Sequence, residues 1–173
     1  MNNCNNISFT NFPNCFDITV IKGENVYHKF SSHFHNSYNI GILHSGEINF
    51  KIDKINKIIK KNTIYLINPG SIHSLECLEN KSISYTVINF KANVLYEIFK
   101  KEHIIFPDLF IIDTVKTKKI LNYLDCILNK KTCSLEKQEN FMNILYEFQI
   151  DSNEKAIVEK VNIERSKKYI HEN

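Results

Sequence analysis

Three histidines on two short segments have the residue type and the spacing to do chemistry in this chain. His33-Phe34-His35 places two imidazoles at positions i and i+2, and His73 follows a Pro69-Gly70 turn. Side chains two positions apart project from the same face of a β-strand. If the two segments pair across a small barrel, all three imidazoles point at one interior spot. That spot is either a metal site or the polar end of a ligand pocket.

A metal site is the first of these alternatives. Three imidazoles can hold zinc, iron or manganese at about 2.0–2.1 Å per nitrogen, with open positions for water or substrate. An isolated His-x-His is more simply a half-exposed polar surface, but Pro-Gly-x-x-His at barrel spacing favours a shared pocket. We expect the other histidines to be structural or solvated, with His44 outside the barrel because of its strand parity: His28, His44 and His103.

The elements that must position these histidines form a β region, residues 17–90. Residues 47–53 alternate strictly between polar and apolar, which is typical of a strand with one solvent-exposed face. Turn signals such as Lys22-Gly23-Glu24-Asn25 and Ser45-Gly46 separate the strands. Many short strands with turns between them predict a barrel or a sandwich. Before them, residues 1–16 form an Asn-rich arm with three isolated apolar anchors: Phe9, Phe12 and Phe16.

After Phe90 the apolar period changes from strand to helix. Residues 93–101 fit a short helix, and residues 114–130 repeat apolar side chains at helical spacing. Ser134 is the expected N-cap of the following helix, since its hydroxyl can accept from a backbone N–H of the first turn. The short link 131–133 predicts an antiparallel helix pair. Residues 156–170 are predicted to be helical again.

Length and composition limit the classes of protein to which this chain can belong. The 173 residues suffice for one domain with a substantial core, and no apolar run approaches the roughly 20 residues that a membrane span requires. Five scattered cysteines without a CxxC pair favour a reduced cytoplasm. Arg165 is the single arginine, so the chain by itself is a poor reader of DNA bases, which relies heavily on arginine. The lysine-rich net charge of +3 leans slightly toward an anionic ligand.

The histidine segments resemble the two sequence motifs of cupins. His33-x-His35, followed by Asn39 and Gly46, is similar to the first motif, and residues 62–73 are similar to the second. Asn62, which tolerates left-handed geometry, replaces the glycine that usually opens the second motif. Within cupins, His-x-His-x-x-Tyr and the stretch Leu66-Ile67-Asn68-Pro69-Gly70-x-x-His73 resemble the amino-terminal effector domain of AraC-type transcriptional regulators. The segment 163–173 is similar to the first helix leading into the carboxy-terminal helix-turn-helix domain of that family, whose remainder is absent, so we expect a fragment of a longer protein.

The resemblance implies a mainly β fold, a cupin-like jelly-roll barrel followed by an antiparallel helix pair. It implies the effector-sensing and dimerisation domain of a bacterial activator: cytoplasmic, homodimeric, without enzymatic activity, cofactor or membrane contact, and contacting DNA through the missing domain alone. We expect four parts: an arm, a barrel, a helical barrel cover and dimer contact, and a linker that starts the truncated domain, over residues 1–16, 17–90, 91–150 and 151–173.

Site residues follow from the same resemblance. The expected ligand-binding residues are His33, His35, Asn39, His73, Tyr38 and Tyr85. Strand tyrosines can equally form barrel wall with the hydroxyl at the rim. The expected dimer residues are Leu121, Leu124, Leu128, Phe141, Leu145 and Phe148, although both helices can also simply cover the barrel.

One departure from the cupin pattern bears on the metal. Metal cupins usually carry a glutamate where this chain has Asn39, so an anionic ligand is missing and three neutral imidazoles remain. We therefore predict no metal, and if one binds, its ligands are His33, His35 and His73. The alternative function is a small metal-dependent cupin enzyme, a dioxygenase or an isomerase, using these histidines. A third alternative is a barrel that serves for association alone.

Overall fold

A computed structural model of the protein describes residues 6–27, 29–78, 81–101 and 104–148. Within these ranges the strands are β1 (Asn6–Phe12), β2 (Ile18–Val26), β3 (Lys29–His33), β4 (Ser37–Ser45), β5 (Glu47–Ile52), β6 (Ile55–Lys60), β7 (Ile64–Ile67), β8 (His73–Cys77), β9 (Ile83–Lys91) and β10 (Phe110–Ile111). The helices are α1 (Ala92–Phe99), α2 (Thr114–Leu128) and α3 (Ser134–Tyr146).

The strands form two antiparallel sheets that face each other. The first has six strands in the order β1-β2-β9-β4-β7-β10, and the second has four in the order β3-β8-β5-β6. On β5 the side chains of Ile48, Phe50 and Ile52 are buried while those between them are more exposed, which confirms the strand predicted over residues 47–53. The cupin-like jelly roll expected from the sequence is thus the observed fold.

The strands β4, β7 and β9 of the six-stranded sheet are buried on both faces, and β7 shows why. Its four residues are all buried, but alternate side chains join different apolar clusters. Ile64 and Leu66 pack with the helices, whereas Tyr65 and Ile67 pack inside the barrel. A strand with two buried faces needs apolar residues at consecutive positions. This sheet therefore separates the helical layer from the barrel interior.

Residues with positive φ close the turns. Asn62, which takes the place of the cupin glycine, has φ +67°, so the left-handed geometry is kept by a residue that tolerates it. Gly46 has φ +80°, and a Cβ there would lie 2.6 Å from the backbone oxygen of Ser82. Glycine is therefore required at the β4–β5 turn.

The helices follow the prediction except at their caps. Asp113 is the N-cap of α2, and its carboxylate accepts from the backbone N–H groups of Val115 and Lys116. The predicted N-cap Ser134 is wrong, because α3 begins at that residue and Cys133 takes the cap position without a side-chain hydrogen bond. The predicted helix over residues 156–170 lies outside the described residues. No described helix has the length and apolar character needed to cross a membrane.

The six expected dimer residues point into this chain. Leu124, Phe141, Leu145 and Phe148 are buried in the cluster between the helices and the six-stranded sheet. Leu121 and Leu128 are partly buried and pack against the same cluster. Their stripe matches the apolar outer face of the sheet, so it covers the barrel. A dimer contact made by these helices must therefore use their outward side chains.

The predicted arm contains a strand. Residues 6–12 pair in register with β2, from Asn6 opposite Glu24 to Phe12 opposite Ile18. β1 lies at the edge of the six-stranded sheet, where β2 is its neighbour. The alternation of Ile7 and Phe9 with polar residues is the signal for this strand. The barrel wall therefore includes part of the segment assigned to the arm.

Candidate ligand cavity

The two sheets enclose a cavity of about 280 Å³. Its walls are mostly apolar, and its lining residues, among those that the structure describes, include no Asp, Glu, Lys or Arg. The apolar lining is formed by Ile7, Phe9, Ile21, Phe30, Leu43, Ile48, Ile67, Leu75, Ile83 and Val87. The polar lining is formed by His33, His35, Asn39, Tyr65, His73, Tyr85 and Asn89. This composition is typical of a small-molecule site.

The three imidazoles converge in this cavity, as predicted. His33 on β3 lies directly opposite His73 on β8, and their ring centroids are 4.3 Å apart. The centroid of His35 lies 4.9 Å from that of His73 and 6.2 Å from that of His33. His73 is buried, whereas His33 is exposed at the solvent side. The interior spot inferred from strand parity therefore exists, and its role in binding stays a prediction.

The same backbone contact fixes the tautomer of each imidazole. In all three rings Nδ1 lies 2.8 to 2.9 Å from a backbone carbonyl oxygen two residues away. A carbonyl can only accept, so Nδ1 carries the proton and Nε2 of the neutral ring carries the lone pair. The pairs are His33 with Ser31, His35 with Ser37, and His73 with Ser71. The cavity is thus supplied with acceptor nitrogens.

An amide relay occupies one of these nitrogens. Asn39 donates from Nδ2 to Nε2 of His35 over 2.9 Å. Asn89 in turn donates from Nδ2 to Oδ1 of Asn39 over 2.5 Å and to Oγ of Ser37 over 2.7 Å. Asn89 was not among the residues predicted from the sequence, although its parity with Tyr85 on β9 places it on the cavity face. The relay holds the amide of Asn39 in one orientation and leaves the Nε2 atoms of His33 and His73 as acceptors.

Burial keeps the inner imidazoles neutral. The pKa of His73 falls to about 4, mainly because burial disfavours the charged ring. The Ser71 carbonyl opposes this shift by accepting from the ring, while His33 and His35 reinforce it. The pKa of His35 is also lowered, again chiefly by burial. At neutral pH these two rings therefore carry no positive charge, and Nε2 of His73 keeps an available lone pair while Asn39 uses that of His35.

Two tyrosines lie across glycines on the cavity face. The Tyr65 ring covers Gly41, where a Cβ would lie 2.0 Å from Cζ of the tyrosine. The Tyr85 ring covers Gly23 in the same way, with Cε1 at 2.5 Å. Among the described residues, neither tyrosine hydroxyl has a hydrogen-bond partner, and burial raises the pKa of both. Tyr85 thus lies where the ligand-binding prediction needs it, and Tyr65 joins it.

Tyr38 is not part of the cavity, so its expected place in the site is wrong. It is next to Asn39 on β4 and therefore points to the opposite face of the sheet. Its ring stacks on Phe90 at 5.3 Å and meets the edge of Phe106 at 5.5 Å, and its hydroxyl donates to the backbone oxygen of Ile104. Because adjacent residues on a strand face opposite sides of the sheet, strand parity alone predicts that Tyr38 and Asn39 do not both face the cavity.

The residues around the cavity do not fit a metal ion. No cluster of three or more His, Cys, Asp or Glu side chains within the described ranges has an arrangement that could hold one. The hydrogen bond from Asn39 uses the lone pair of His35 that an ion would need. The cavity also lacks a carboxylate to offset the charge of a dication. Three convergent imidazoles are therefore insufficient here.

His44 lies outside the cavity, as strand parity predicts. Its Nε2 is 2.8 Å from Oγ1 of Thr86, in a separate polar cleft of about 310 Å³ that includes Lys22 and Glu24. Burial, with a smaller effect of Lys22, lowers the pKa of His44. His28 and His103 fall outside the described residues. The polar side chains of the cavity are therefore a distinct group.

A jelly-roll barrel with an internal cavity and a helical cover is a cupin-like fold. The family model of the AraC-like ligand binding domain matches residues 16–145. The chain therefore belongs to the AraC-like ligand-binding domain family, as the resemblance of its histidine segments implied. The match covers β2 to β10 and the helices α1 to α3 up to residue 145 of α3.

The individual proteins that match this chain share low sequence identity with it. The uncharacterized HTH-type transcriptional regulator YbfI of Bacillus subtilis is 23% identical over 134 residues, which is 75% of this chain and 49% of that protein. The chain thus spans about half the length of this curated relative. A cupin of Methanocaldococcus jannaschii shares 12% identity at a TM-score of 0.42, covering 53% of this chain and 85% of that one. A Klebsiella pneumoniae protein with a double-stranded β-helix domain shares 18% at 0.44, covering 54% and 82%.

Proposed function

We propose that this chain is the effector-sensing domain of a bacterial AraC-type transcriptional regulator that acts in the cytoplasm as a homodimeric activator. It binds one small molecule in the barrel and relays that binding to a DNA-binding domain outside this chain. The observation that carries the proposal is the apolar cavity with three imidazoles converging at one spot. The similarity to an HTH-type regulator supports the DNA-binding part.

The coupling between ligand binding and the DNA-binding domain begins at β1. Ile7 and Phe9 line the cavity, so a bound molecule touches the strand directly. β1 is held by its hydrogen bonds to β2 and by these cavity contacts. A ligand shifts a conformational equilibrium only as far as it binds one state better than another. An occupied cavity adds contacts to the docked strand and so stabilises it, and the linker over residues 151–173 carries the change onward.

Homodimerisation is assigned to the outward faces of α2 and α3. Val115 on α2 is 65% exposed, and Leu135 on α3 is 74% exposed. These two side chains lie near opposite ends of the antiparallel pair, so they mark the two outer helix faces and do not form one continuous apolar patch. The buried stripe of the same helices is already used against the barrel.

Binding without catalysis is the function that the cavity chemistry supports. The cavity lining contains no carboxylate, and burial lowers the pKa values of His35 and His73, which weakens both imidazoles as general bases. Nε2 of His35 is bonded to Asn39, which disfavours the metal-dependent dioxygenase or isomerase considered above. A barrel for association alone would not need imidazoles converging in an apolar space. We therefore propose a sensor and not an enzyme.

A thermal-shift screen of sugars, fatty acids, bile acids and aromatic acids tests the sensor. A binder at a hundred times its dissociation constant stabilises the fold by about 2.7 kcal/mol. Val87→Phe, which fills the cavity, should abolish the stabilisation, and Ile112→Phe, at an exposed position outside the cavity, should not. A compound that stabilises both variants equally binds elsewhere. If no compound in a broad screen binds, the sensor proposal falls and association alone remains.

A further inference from the structure

The polar groups of the cavity have hydrogen-bond capacity that the protein itself does not use. Nε2 of His33 and Nε2 of His73 are acceptors, because Nδ1 of each ring is committed to a backbone carbonyl. Within the described part of the chain, neither Nε2 atom receives a hydrogen bond. Buried polar atoms are almost always satisfied. His73 is buried, so the missing partner of its Nε2 is a donor from outside the chain, whereas Nε2 of the exposed His33 can accept from solvent or from a ligand.

The tyrosines present the opposite requirement. Tyr65 is 3% exposed and Tyr85 is 7% exposed, and both rings line the cavity. Their hydroxyls have no partner among the described residues, and a phenolic O–H bonds most simply by donating to an acceptor. Gly41 and Gly23 make the space that lets each ring lie flat at this surface. An occupant therefore meets unused acceptors on imidazoles and unused donors on phenols.

Charge narrows the class of occupant. The lining contains no carboxylate, so an ammonium group would enter without a counter-charge. It contains no lysine or arginine, and burial keeps His73 from becoming a cation, so a carboxylate would be equally uncompensated. The lysine-rich net charge that favoured an anionic ligand therefore does not extend to the cavity lining. An ionic ligand would lose its hydration without gaining a counter-charge.

We propose that the cavity selects an uncharged molecule with an apolar body, an O–H or N–H donor for the imidazoles and an acceptor oxygen for the tyrosines. This inference rests on the proposed sensing function and deepens it by naming the ligand class. Neutral alcohols, phenols and amides of small size belong to the class. Carboxylates and amines of the same shape do not.

Four probes of one shape separate the charge states: 4-methoxybenzyl alcohol, 4-methoxybenzoate, 4-methoxybenzylammonium and 4-methylanisole. Dissociation constants are measured by NMR titration of the whole chain near neutral pH, where the acid and the amine are charged. The alcohol should bind at least about tenfold tighter than either ion and roughly fivefold tighter than 4-methylanisole, which lacks the donor. Tightest binding of the benzoate or of the ammonium overturns the inference.

Variants locate the donor contact. His73→Leu and, at the exposed side, His33→Leu should each reduce the preference for the alcohol over 4-methylanisole, whereas His44→Leu outside the cavity should not. The ratio of two dissociation constants on one variant does not depend on the fraction folded, and His33→Leu serves if His73→Leu fails to fold. An unchanged preference in both cavity variants contradicts the assignment.

The sensing function and the ligand class can fail separately. If the benzoate binds best and Val87→Phe blocks it, the cavity is a ligand site and the neutral class is wrong. If none of the four probes binds up to about 10 mM, the inference also falls. The sensor proposal is then judged by the broad screen, which includes compounds of other shapes.

Discussion

Asn39 donates a hydrogen bond from Nδ2 to Nε2 of His35 over 2.9 Å, in the position where metal cupins usually carry a glutamate. Asn89 fixes the amide from the other side by donating to Oδ1 over 2.5 Å. A donor on a ring nitrogen and a ligand metal on the same nitrogen exclude each other. One side chain therefore separates a hydrogen-bonding cavity from a metal centre.

Asn39→Glu should convert the cavity into a metal site. The substitution removes the donor from His35 and supplies the anionic ligand that the cavity lacks. Titration calorimetry with Zn²⁺ should show at least about tenfold tighter binding than in the unaltered chain. Asn39→Leu, which removes the donor without adding a carboxylate, is the matched control and should gain less. Equal gains in both variants would show that the carboxylate is not a ligand.

Gly41→Ala should destabilise the fold through Tyr65. The new Cβ would lie 2.0 Å from Cζ of the ring, and such overpacking costs about 1–3 kcal/mol in the free energy of unfolding. In a Tyr65→Ala background the same change should cost much less, because the clashing atoms are gone. Urea denaturation of the double-mutant cycle measures the coupling. Tyr96→Ala provides the control background, because the Tyr96 ring is exposed on α1. If Gly41→Ala costs as much in the Tyr65→Ala background as in the Tyr96→Ala background, the contact between Gly41 and Tyr65 is disproved.

Acid should weaken the fold through His73. Its pKa is about 4 in the folded protein, against an ordinary pKa of 6.5 for histidine, so between these values the unfolded chain binds more protons. The free energy of unfolding should therefore fall as the pH drops from about 6.5 to about 4, by about 3 kcal/mol for this group. His73→Gln should flatten the slope, whereas the exposed Asn56→Gln should leave it intact. Parallel slopes for all three proteins would contradict the buried neutral ring.

Phe141→Ala should destabilise the single chain. Phe141 is fully buried and contacts the rings of Phe16 and Phe90 at 5.8 and 5.3 Å, and the loss of such a ring costs about 3–5 kcal/mol. Leu135→Glu on the outer face should change stability by less than about 0.5 kcal/mol. Urea denaturation compares the two variants, and a small effect of Phe141→Ala would argue against its buried position.

Leu135→Glu should instead change association. If α2 and α3 form the dimer contact through their outward side chains, a buried glutamate there shifts the chain toward monomer. Light scattering at several protein concentrations measures the molecular mass of both proteins. An unaltered chain that stays monomeric at high concentration rules out the dimer role of these helices.

Local patterns were enough to predict much of the fold. The alternation over residues 47–53, the left-handed tolerance of Asn62 and the helical spacing over residues 114–130 all describe near neighbours in the chain. The pairing of His33 and His35 on one face is also a local property of a strand. These features follow from the periods of two and 3.6 residues and survive in the tertiary structure.

The sequence by itself determined which side chains share a face, and the tertiary structure decided what each face meets. Tyr38 and Asn39 take opposite faces by strand parity, but the long-range packing of β4 between a cavity and a helical layer assigns them different roles. The apolar stripe that contains Phe141 can pack against a barrel or against a partner chain, and in the folded chain it packs against the six-stranded sheet. Asn89 reaches Asn39 across 50 residues because β9 pairs with β4. Periodicity is a property of neighbours, whereas contact across a sheet depends on register between distant segments.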